Sequence, residues 1–68
     1  NYSYDLNING DSFLNSDIIV DNDLNINSGY FNLSGYTVDV AETVEIFGQL
    51  VMTNSTEELN ATEIYWKS

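Results

Sequence analysis

The sequence contains no cysteine, no histidine and no proline, and its only Lys or Arg residue is Lys67. Without cysteine and histidine, the chain cannot form a disulfide, a Cys/His zinc site or a catalytic triad built on either residue. It also lacks the basic clusters that neutralise nucleic-acid phosphates or bind anionic lipid surfaces. No apolar run is long enough to be a signal peptide or to span a bilayer. We therefore expect no enzymatic activity, no nucleic-acid partner and no membrane insertion.

The short length and the strong negative charge both limit stability. A single domain covering residues 1–68 buries only about 60% of its unfolded surface on folding. Eleven Asp or Glu residues against one Lys give a formal net charge of -10, and this self-repulsion opposes the compact state. Small domains of this kind usually need an additional stabilising element. With disulfides and zinc excluded, we expect partner chains, bound hard cations or the rest of a longer polypeptide to supply it.

Four Asn-x-Ser/Thr sequons are candidate glycosylation sites, and they begin at Asn1, Asn32, Asn54 and Asn60. Such sequons accept N-linked glycans in secreted proteins. The alternative is an ordinary polar surface, because a chain rich in Asn, Ser and Thr contains several sequons by chance. The absence of an initiating Met is typical of a processed mature chain or an excised domain.

A five-residue pattern recurs along the whole chain, with two apolar residues in alternate positions and a small residue after them. The first apolar position is occupied by Leu6, Leu24, Val44 and Ile64, the second by Ile8, Ile26, Ile46 and Trp66, and the small position by Gly10, Ser28, Gly48 and Ser68. The repeat length is therefore 18 to 20 residues. Self-similarity at such a period indicates a solenoid, in which each repeat buries its apolar edge against its neighbours.

This repeat predicts an all-β fold, a short parallel β-solenoid of about three to four coils. Each coil is expected to contain three short strands and three corners. The alternative is an antiparallel meander or two-sheet sandwich, in which turns at 28–29 and 34–35 set Ile26 opposite Phe31 and Leu33 opposite Tyr36. We predict a strand over 49–53, a loop over 54–58 and either a strand or a helical turn over 59–63. No segment has the apolar spacing of a long helix.

The stretch from Leu24 to Gly35 resembles a coil of the β-solenoid repeats found in microbial cell-surface and secreted proteins. These include adhesins, S-layer-associated proteins and sheath or fibre subunits. The resemblance covers about three coils and is one of pattern, without family-specific signature residues. It implies an extracellular, cell-surface location and a structural function in a self-assembling sheath, S-layer, fibre or stalk. The alternatives are a carbohydrate-binding or adhesive surface module, with or without stabilisation by calcium, and a calcium-dependent domain of a larger surface protein.

Acidic and amide side chains at equivalent repeat positions suggest two kinds of stacking. We expect Asp5 to stack near Asp23, and Asp21 near Asp39. Because calcium prefers carboxylate and amide oxygens as ligands, these four residues form a candidate calcium site. The alternative is that these acids are simply exposed to solvent and screened. Asn7 with Asn25, and Asn9 with Asn27, are predicted to form short amide ladders.

Aromatic residues concentrate near both ends of the chain, where exposed strand edges pair with other chains unless they are covered. We predict that Tyr2, Tyr4, Tyr65 and Trp66 form interfaces between copies of this chain or related surface subunits. Pairing of the first strand of one copy with the last strand of the next gives a ring or a filament. The alternative is a sugar-binding platform formed by Tyr30, Tyr36, Tyr65 and Trp66.

Overall fold

The computed structural model describes residues 1–67, and all regular structure in them is β. Ten short strands follow one another: β1 (Leu6–Ile8), β2 (Ser12–Phe13), β3 (Ile18–Val20), β4 (Leu24–Ile26), β5 (Tyr30–Asn32), β6 (Thr37–Val40), β7 (Thr43–Ile46), β8 (Gln49–Val51), β9 (Glu58–Asn60) and β10 (Glu63–Trp66). Every pairing between them is parallel.

The strands form three parallel sheets, and the chain visits each sheet in turn. The first sheet has the order β1-β4-β7-β10, the second β2-β5-β8, and the third β3-β6-β9. One passage through all three sheets is one coil, so the chain completes about three coils. The predicted parallel β-solenoid is confirmed. The antiparallel meander is wrong, because Ile26 pairs with Ile8 and Ile46 in the coils on either side of it and not with Phe31.

The predicted apolar columns form the core of the first sheet. Leu24 lies in register between Leu6 and Val44, and Ile64 follows Val44 in the next coil. The second column runs in the same way through Ile8, Ile26, Ile46 and Trp66. The side chains of both columns in the second and third coils are fully buried, as alternation along a strand requires of inward positions. The fourth predicted corner residue, Ser68, lies outside the described residues.

The second coil is two residues longer than the first, and the extra residues lie at its corners. The register offset between coils is 18 residues for Leu6 and Leu24, but 20 residues for Ile18 and Val38. Gly29 has φ 72° and Gly35 has φ 93°, backbone conformations that residues with a Cβ rarely adopt. These two positive-φ glycines allow the corners to widen while all three sheets keep their pairing.

The third coil contains a loop at residues 52–57, between β8 and β9. This loop largely matches the prediction for 54–58, whereas the strand predicted over 49–53 ends two residues early, at Val51. Met52 is exposed, so its apolar side chain does not extend the inward face. The helical turn considered for 59–63 is absent from that segment, because Leu59 pairs with Val38 in strand β9 and packs against the core.

The chain begins with a backbone bridge that extends the third sheet below β3. The Tyr2 N–H donates to the Ile19 carbonyl at 2.8 Å, and the Tyr2 carbonyl accepts from the Asp21 N–H at 2.8 Å. Tyr2 is therefore the register partner of Val20, as if it belonged to a preceding coil. The N-terminal end of the solenoid consists of this bridge with the free edges of β1 and β2, and the C-terminal end consists of the free edges of β8, β9 and β10.

Candidate functional site

The C-terminal end exposes residues that continue the buried core columns. Val44 and Ile46 of β7 are 0% exposed, whereas their register partners in β10, Ile64 and Trp66, are 41% and 64% exposed. Their sequence pattern is that of a buried strand, but β10 has a strand neighbour on one side only among residues 1–67. The C-terminal end therefore presents an apolar surface and a free strand edge at the same place.

Backbone hydrogen bonds across the coil boundaries have a constant direction. The Ile8 carbonyl in the first coil accepts from the Asn27 N–H in the second at 2.8 Å, and the Ile46 carbonyl accepts from the Lys67 N–H at 2.8 Å. Inward-facing residues thus direct their backbone groups to the following coil, since successive residues of a strand pair alternately with its two neighbours. The inward-facing residues of β10 accordingly direct their N–H and C=O groups toward the open end.

The four predicted interface aromatics lie in two groups at opposite ends of the solenoid. Tyr2 and Tyr4 form an edge-to-face pair at the N-terminal end, with ring centroids 6.1 Å apart and an interplanar angle of 77°. Tyr2 packs against the core, and Tyr4 is exposed. Tyr65 and Trp66 are consecutive residues of β10 at the other end, Tyr65 on its outward face and Trp66 on the inward register. This placement is compatible with contacts at both ends, and the interface itself stays a prediction.

Charged groups surround the outward face of β10. The Lys67 ammonium lies 3.9 Å from a carboxylate oxygen of Glu45 and 5.3 Å from the centre of the Tyr65 ring. The Tyr65 hydroxyl donates to Glu63 at 2.8 Å. This hydrogen bond and the negative charge of Glu63 raise the pKa of Tyr65 above its ordinary value. The side chain of Tyr65 is thereby held on the outside, while Trp66 stays on the inward register.

No single sheet carries the four aromatics of the alternative sugar platform. Tyr30 begins β5 in the second sheet, Tyr36 lies at the corner before β6, and the other two belong to the first sheet. The structure thus distributes these rings around the solenoid, although each of them is exposed.

A ladder of aspartates connects successive coils, and the sequence interpretation did not recognise it. Its members are Asp5, Asp11, Asp17 and Asp23, each located just before a strand. Each carboxylate accepts a hydrogen bond from a backbone N–H of the following coil, at 2.9 to 3.1 Å, and the donors are Asp23, Tyr30, Thr37 and Thr43 in the same order. The constant six-residue spacing of these four aspartates in the sequence was the available signal.

The predicted acidic stacking is correct for one pair and wrong for the other. Asp5 lies beside Asp23, whose backbone N–H it binds. Asp21 does not stack on Asp39, because the two extra residues of the second coil place Ile19 in register with Asp39. Asp39 instead accepts a hydrogen bond of 2.9 Å from the side chain of Asn60.

The calcium prediction for Asp5, Asp21, Asp23 and Asp39 stays a prediction. Among residues 1–67, no three Asp or Glu side chains form a group that could hold a metal ion. A melting temperature that calcium raises more than sodium chloride at equal ionic strength would support the site. Equal stabilisation by the two salts would leave only charge screening.

Both predicted amide ladders are present on the outward face of the first sheet. The Asn25 side-chain amide donates to the Asn7 side-chain oxygen at 3.2 Å, and the Asn27 amide donates to Asn9 at 2.9 Å. Asn27 also lies 3.4 Å from the Asn7 oxygen, which links the two ladders. These bonds fix the outward side chains of the first two coils in one regular array.

The four sequons differ in how accessible their Asn side chains are. Asn1 and Asn54 are exposed. Asn32 is half-buried, and its side-chain oxygen accepts the Ser34 N–H at 2.9 Å. Asn60 is exposed, but its amide nitrogen, the atom that carries a glycan, donates to Asp39. Glycosylation stays a prediction, and the structure favours Asn1 and Asn54 over the other two.

One buried carboxylate anchors the loop at residues 52–57. The two oxygens of Glu57 accept the backbone N–H groups of Gly35 at 2.7 Å and of Asn54 at 3.0 Å. The hydrogen bond from Asn54 lowers the pKa of Glu57 below its ordinary value of 4.5, burial opposes this effect, and the bond from Gly35 reinforces it. Thr56 adds a bond of 3.2 Å from its hydroxyl to the Gly35 carbonyl. Glu57 therefore joins two successive corners.

The surface of residues 1–67 has no pocket. No helix in this part of the chain is long and apolar enough to cross a membrane. Comparison with protein-family models, with curated protein sequences and with solved structures gives no match.

Proposed function

We propose that this chain is an extracellular structural protein that self-assembles through its strand edges into a sheath, S-layer, fibre or surface stalk. The observation that carries the proposal is the exposure of Ile64 and Trp66, which lie in the register of the buried core. Exposed apolar strands with free edges pair with other chains unless they are covered. A subunit whose core continues across such an edge into the next subunit buries more apolar surface and is more stable than a single domain of this size.

The net charge makes this assembly dependent on ionic strength. A formal charge of -10 on each copy opposes association, and counter-ions screen exposed charges beyond about 10 Å at 0.1 M salt. The apolar contact at the edge is not weakened by such screening. High salt should therefore promote assembly, and low salt should favour separated subunits.

Two features support the extracellular part of the proposal. One is the pattern-level resemblance of 24–35 to repeats of microbial surface proteins, and the other is the presence of three sequons with exposed Asn side chains, at Asn1, Asn54 and Asn60. Fractionation of cells that express the gene tests this part directly. Recovery of the chain at the cell surface or in the medium supports it, and exclusive recovery inside the cell contradicts it.

Sedimentation velocity across a range of protein and salt concentrations tests the self-assembly. The wild-type chain should shift to larger species as either concentration rises. Trp66→Lys removes the exposed anchor and places a charge on the edge, so it should shift the population toward monomers. The matched control is Tyr30→Lys, which changes an exposed aromatic residue at an outward position of β5, the middle strand of the second sheet. A wild-type chain that remains a folded monomer under all conditions contradicts the proposal.

A further inference from the structure

We infer that the assembly is polar and continues the solenoid: the N-terminal end of one copy stacks on the C-terminal end of the next. In this arrangement β1 runs parallel to β10, with Leu6 over Ile64 and Ile8 over Trp66. This inference rests on the proposed self-assembly and specifies its partner, its direction and its register. A second copy is the occupant because its first coil has the backbone polarity and the side-chain spacing that the open edge requires.

The free backbone groups at the two ends are complementary. Inward-facing residues direct their N–H and C=O groups toward the following coil, so those of Ile64 and Trp66 point out of the C-terminal end. Outward-facing residues direct theirs toward the preceding coil, as the Asn27 N–H does toward Ile8. On β1 the outward residue Asn7 therefore points out of the N-terminal end. Stacking β1 on β10 reproduces the bonding of each internal coil boundary.

The third sheet offers a second continuous contact in the same arrangement. One column of this sheet begins at Tyr2, the register partner of Val20, and continues through Val40. Because Asp39 pairs with Asn60, the next residue, Ala61, follows Val40 and ends the column. When β1 lies over β10, Tyr2 of the incoming copy lies over Ala61. The large aromatic side chain at one end thus meets the smallest side chain of the column at the other, without two bulky groups in opposition.

Like charges meet in either arrangement, because the polar junction sets Asp5 of the incoming copy in register with Glu63. Two C-terminal ends facing each other would bring Glu58 and Glu63 of one copy toward the same residues of the other, and such like-charge contacts are destabilising. In the polar arrangement Lys67, the only cationic side chain of the sequence, lies in register with Asn9 of the next copy. The junction thus contains one cation, Lys67, beside the like-charge contact of Asp5 with Glu63, and high salt screens that repulsion.

The second sheet is interrupted at this junction. Among residues 1–67, β8 has no strand above it in the second sheet, and β2 of the incoming copy lies one level above that open position. The first and third sheets are thus continuous across the junction, and the second sheet lacks one strand there. The junction is accordingly weaker than an internal coil boundary, and we expect assembly to be reversible when salt is removed.

Cysteine cross-linking tests the direction and the register, since the natural sequence contains no cysteine. Asn7→Cys and Tyr65→Cys place thiols on outward positions that the inferred register makes neighbours, at a strand separation of about 4.8 Å that a disulfide can span. The two single variants are mixed at high salt and oxidised. The register control replaces Asn7→Cys by Phe13→Cys, an exposed outward position on the interrupted second sheet.

The expected result is a covalent heterodimer of Asn7→Cys with Tyr65→Cys, at least tenfold more abundant than either homodimer or the Phe13→Cys product. Homodimers as abundant as the heterodimer overturn the polar arrangement, and equal cross-linking by Phe13→Cys overturns the register. Sedimentation of the same samples separates the two proposals. If the chains assemble but do not form the heterodimer, only the inferred junction is wrong. If neither the variants nor the wild-type chain assemble, the proposed function is wrong.

Discussion

The carboxylate of Glu57 accepts a hydrogen bond of 2.7 Å from the backbone N–H of Gly35, a residue twenty-two positions earlier and one coil below. A buried carboxylate is costly unless its oxygens are bonded, and here the second oxygen accepts the Asn54 N–H. The longest loop of the solenoid is therefore attached to the coil beneath it through one titratable side chain.

Glu57 should make stability depend on pH. The pKa of Glu57 is lower in the folded chain than its ordinary value of 4.5. Its contribution to the free energy of unfolding is therefore fully present above pH 4.5 and is lost as the pH falls through the pKa of the folded chain. The free energy of unfolding of the wild-type chain should exceed that of Glu57→Gln at neutral pH, and the difference should shrink below pH 4.5. Urea denaturation at several pH values measures it. Glu58→Gln, at the exposed neighbour, is the control, and a difference for Glu57→Gln that does not change with pH contradicts the prediction.

The sequence predicted the architecture better than the details of individual contacts. The columns of Ile26 and Leu24 were visible because inward positions of stacked coils must be apolar at a fixed period. The contact between Glu57 and Gly35 was not visible, because a loop of irregular length brings the two residues together. The position of Asp39 was wrong for a related reason, since an 18-residue offset was applied where corner insertions had lengthened it to 20.

The candidate site was predictable only in part. The repeat placed Trp66 on the inward register. The high aromatic content of the C-terminal strand marked this strand as an edge. The hydrogen-bonding direction of that edge could not be predicted, because it depends on backbone geometry that side-chain patterns do not encode. The aspartate ladder was encoded in the six-residue spacing from Asp5 to Asp23, which matches the three strands predicted for each coil, but the hydrogen bonds to the following coil depend on backbone positions at the corners.

Gly29 should tolerate no side chain, whereas Gly10 at the equivalent corner of the first coil should. A Cβ on Gly29 would lie 2.6 Å from a carboxylate oxygen of Asp11 and 2.7 Å from the carbonyl carbon of Gly10, at a φ of 72°. A Cβ on Gly10 would meet no atom within 4 Å. Gly29→Ala should lower the free energy of unfolding by about 1–3 kcal/mol. Gly10→Ala should change it by about 0.5 kcal/mol or less. Thermal denaturation of both variants measures the contrast, and equal losses would show that the corner geometry is misassigned.

Ile26 and Ile19 test the inward face of the strands. Ile26 is fully buried between Ile8 and Ile46, so Ile26→Ala should lower the free energy of unfolding by about 2–5 kcal/mol. A chain of this length has roughly 3–10 kcal/mol in total, which makes partial unfolding of this variant visible at room temperature. Ile19 is 43% exposed, and Ile19→Ala should cost about 1 kcal/mol or less. Circular dichroism in urea compares them, and similar midpoints would be incompatible with the assigned faces.

The aspartate ladder should stabilise through hydrogen bonding and not through charge. Asp17 accepts the Thr37 N–H at 2.9 Å, so Asp17→Ala should lower the free energy of unfolding by about 0.5–1.5 kcal/mol. Asp17→Asn keeps the accepting oxygen and removes one of the eleven negative charges, so it should be neutral or slightly stabilising at low salt. Urea midpoints at low and high salt give the comparison. A loss in Asp17→Asn as large as in Asp17→Ala would assign the effect to charge.

Hydrogen exchange at individual backbone amides tests most directly whether assembly occurs by continuation of the solenoid. At low protein and salt concentration, the amides of Ile64 and Trp66 should exchange rapidly because they face the open end, whereas the Lys67 amide, bonded to Ile46, should be slower. Under assembling conditions, Ile64, Trp66 and Asn7 should all become protected by tenfold or more. Assembled material in which these three amides still exchange as fast as in the monomer would contradict continuation through the strand edges.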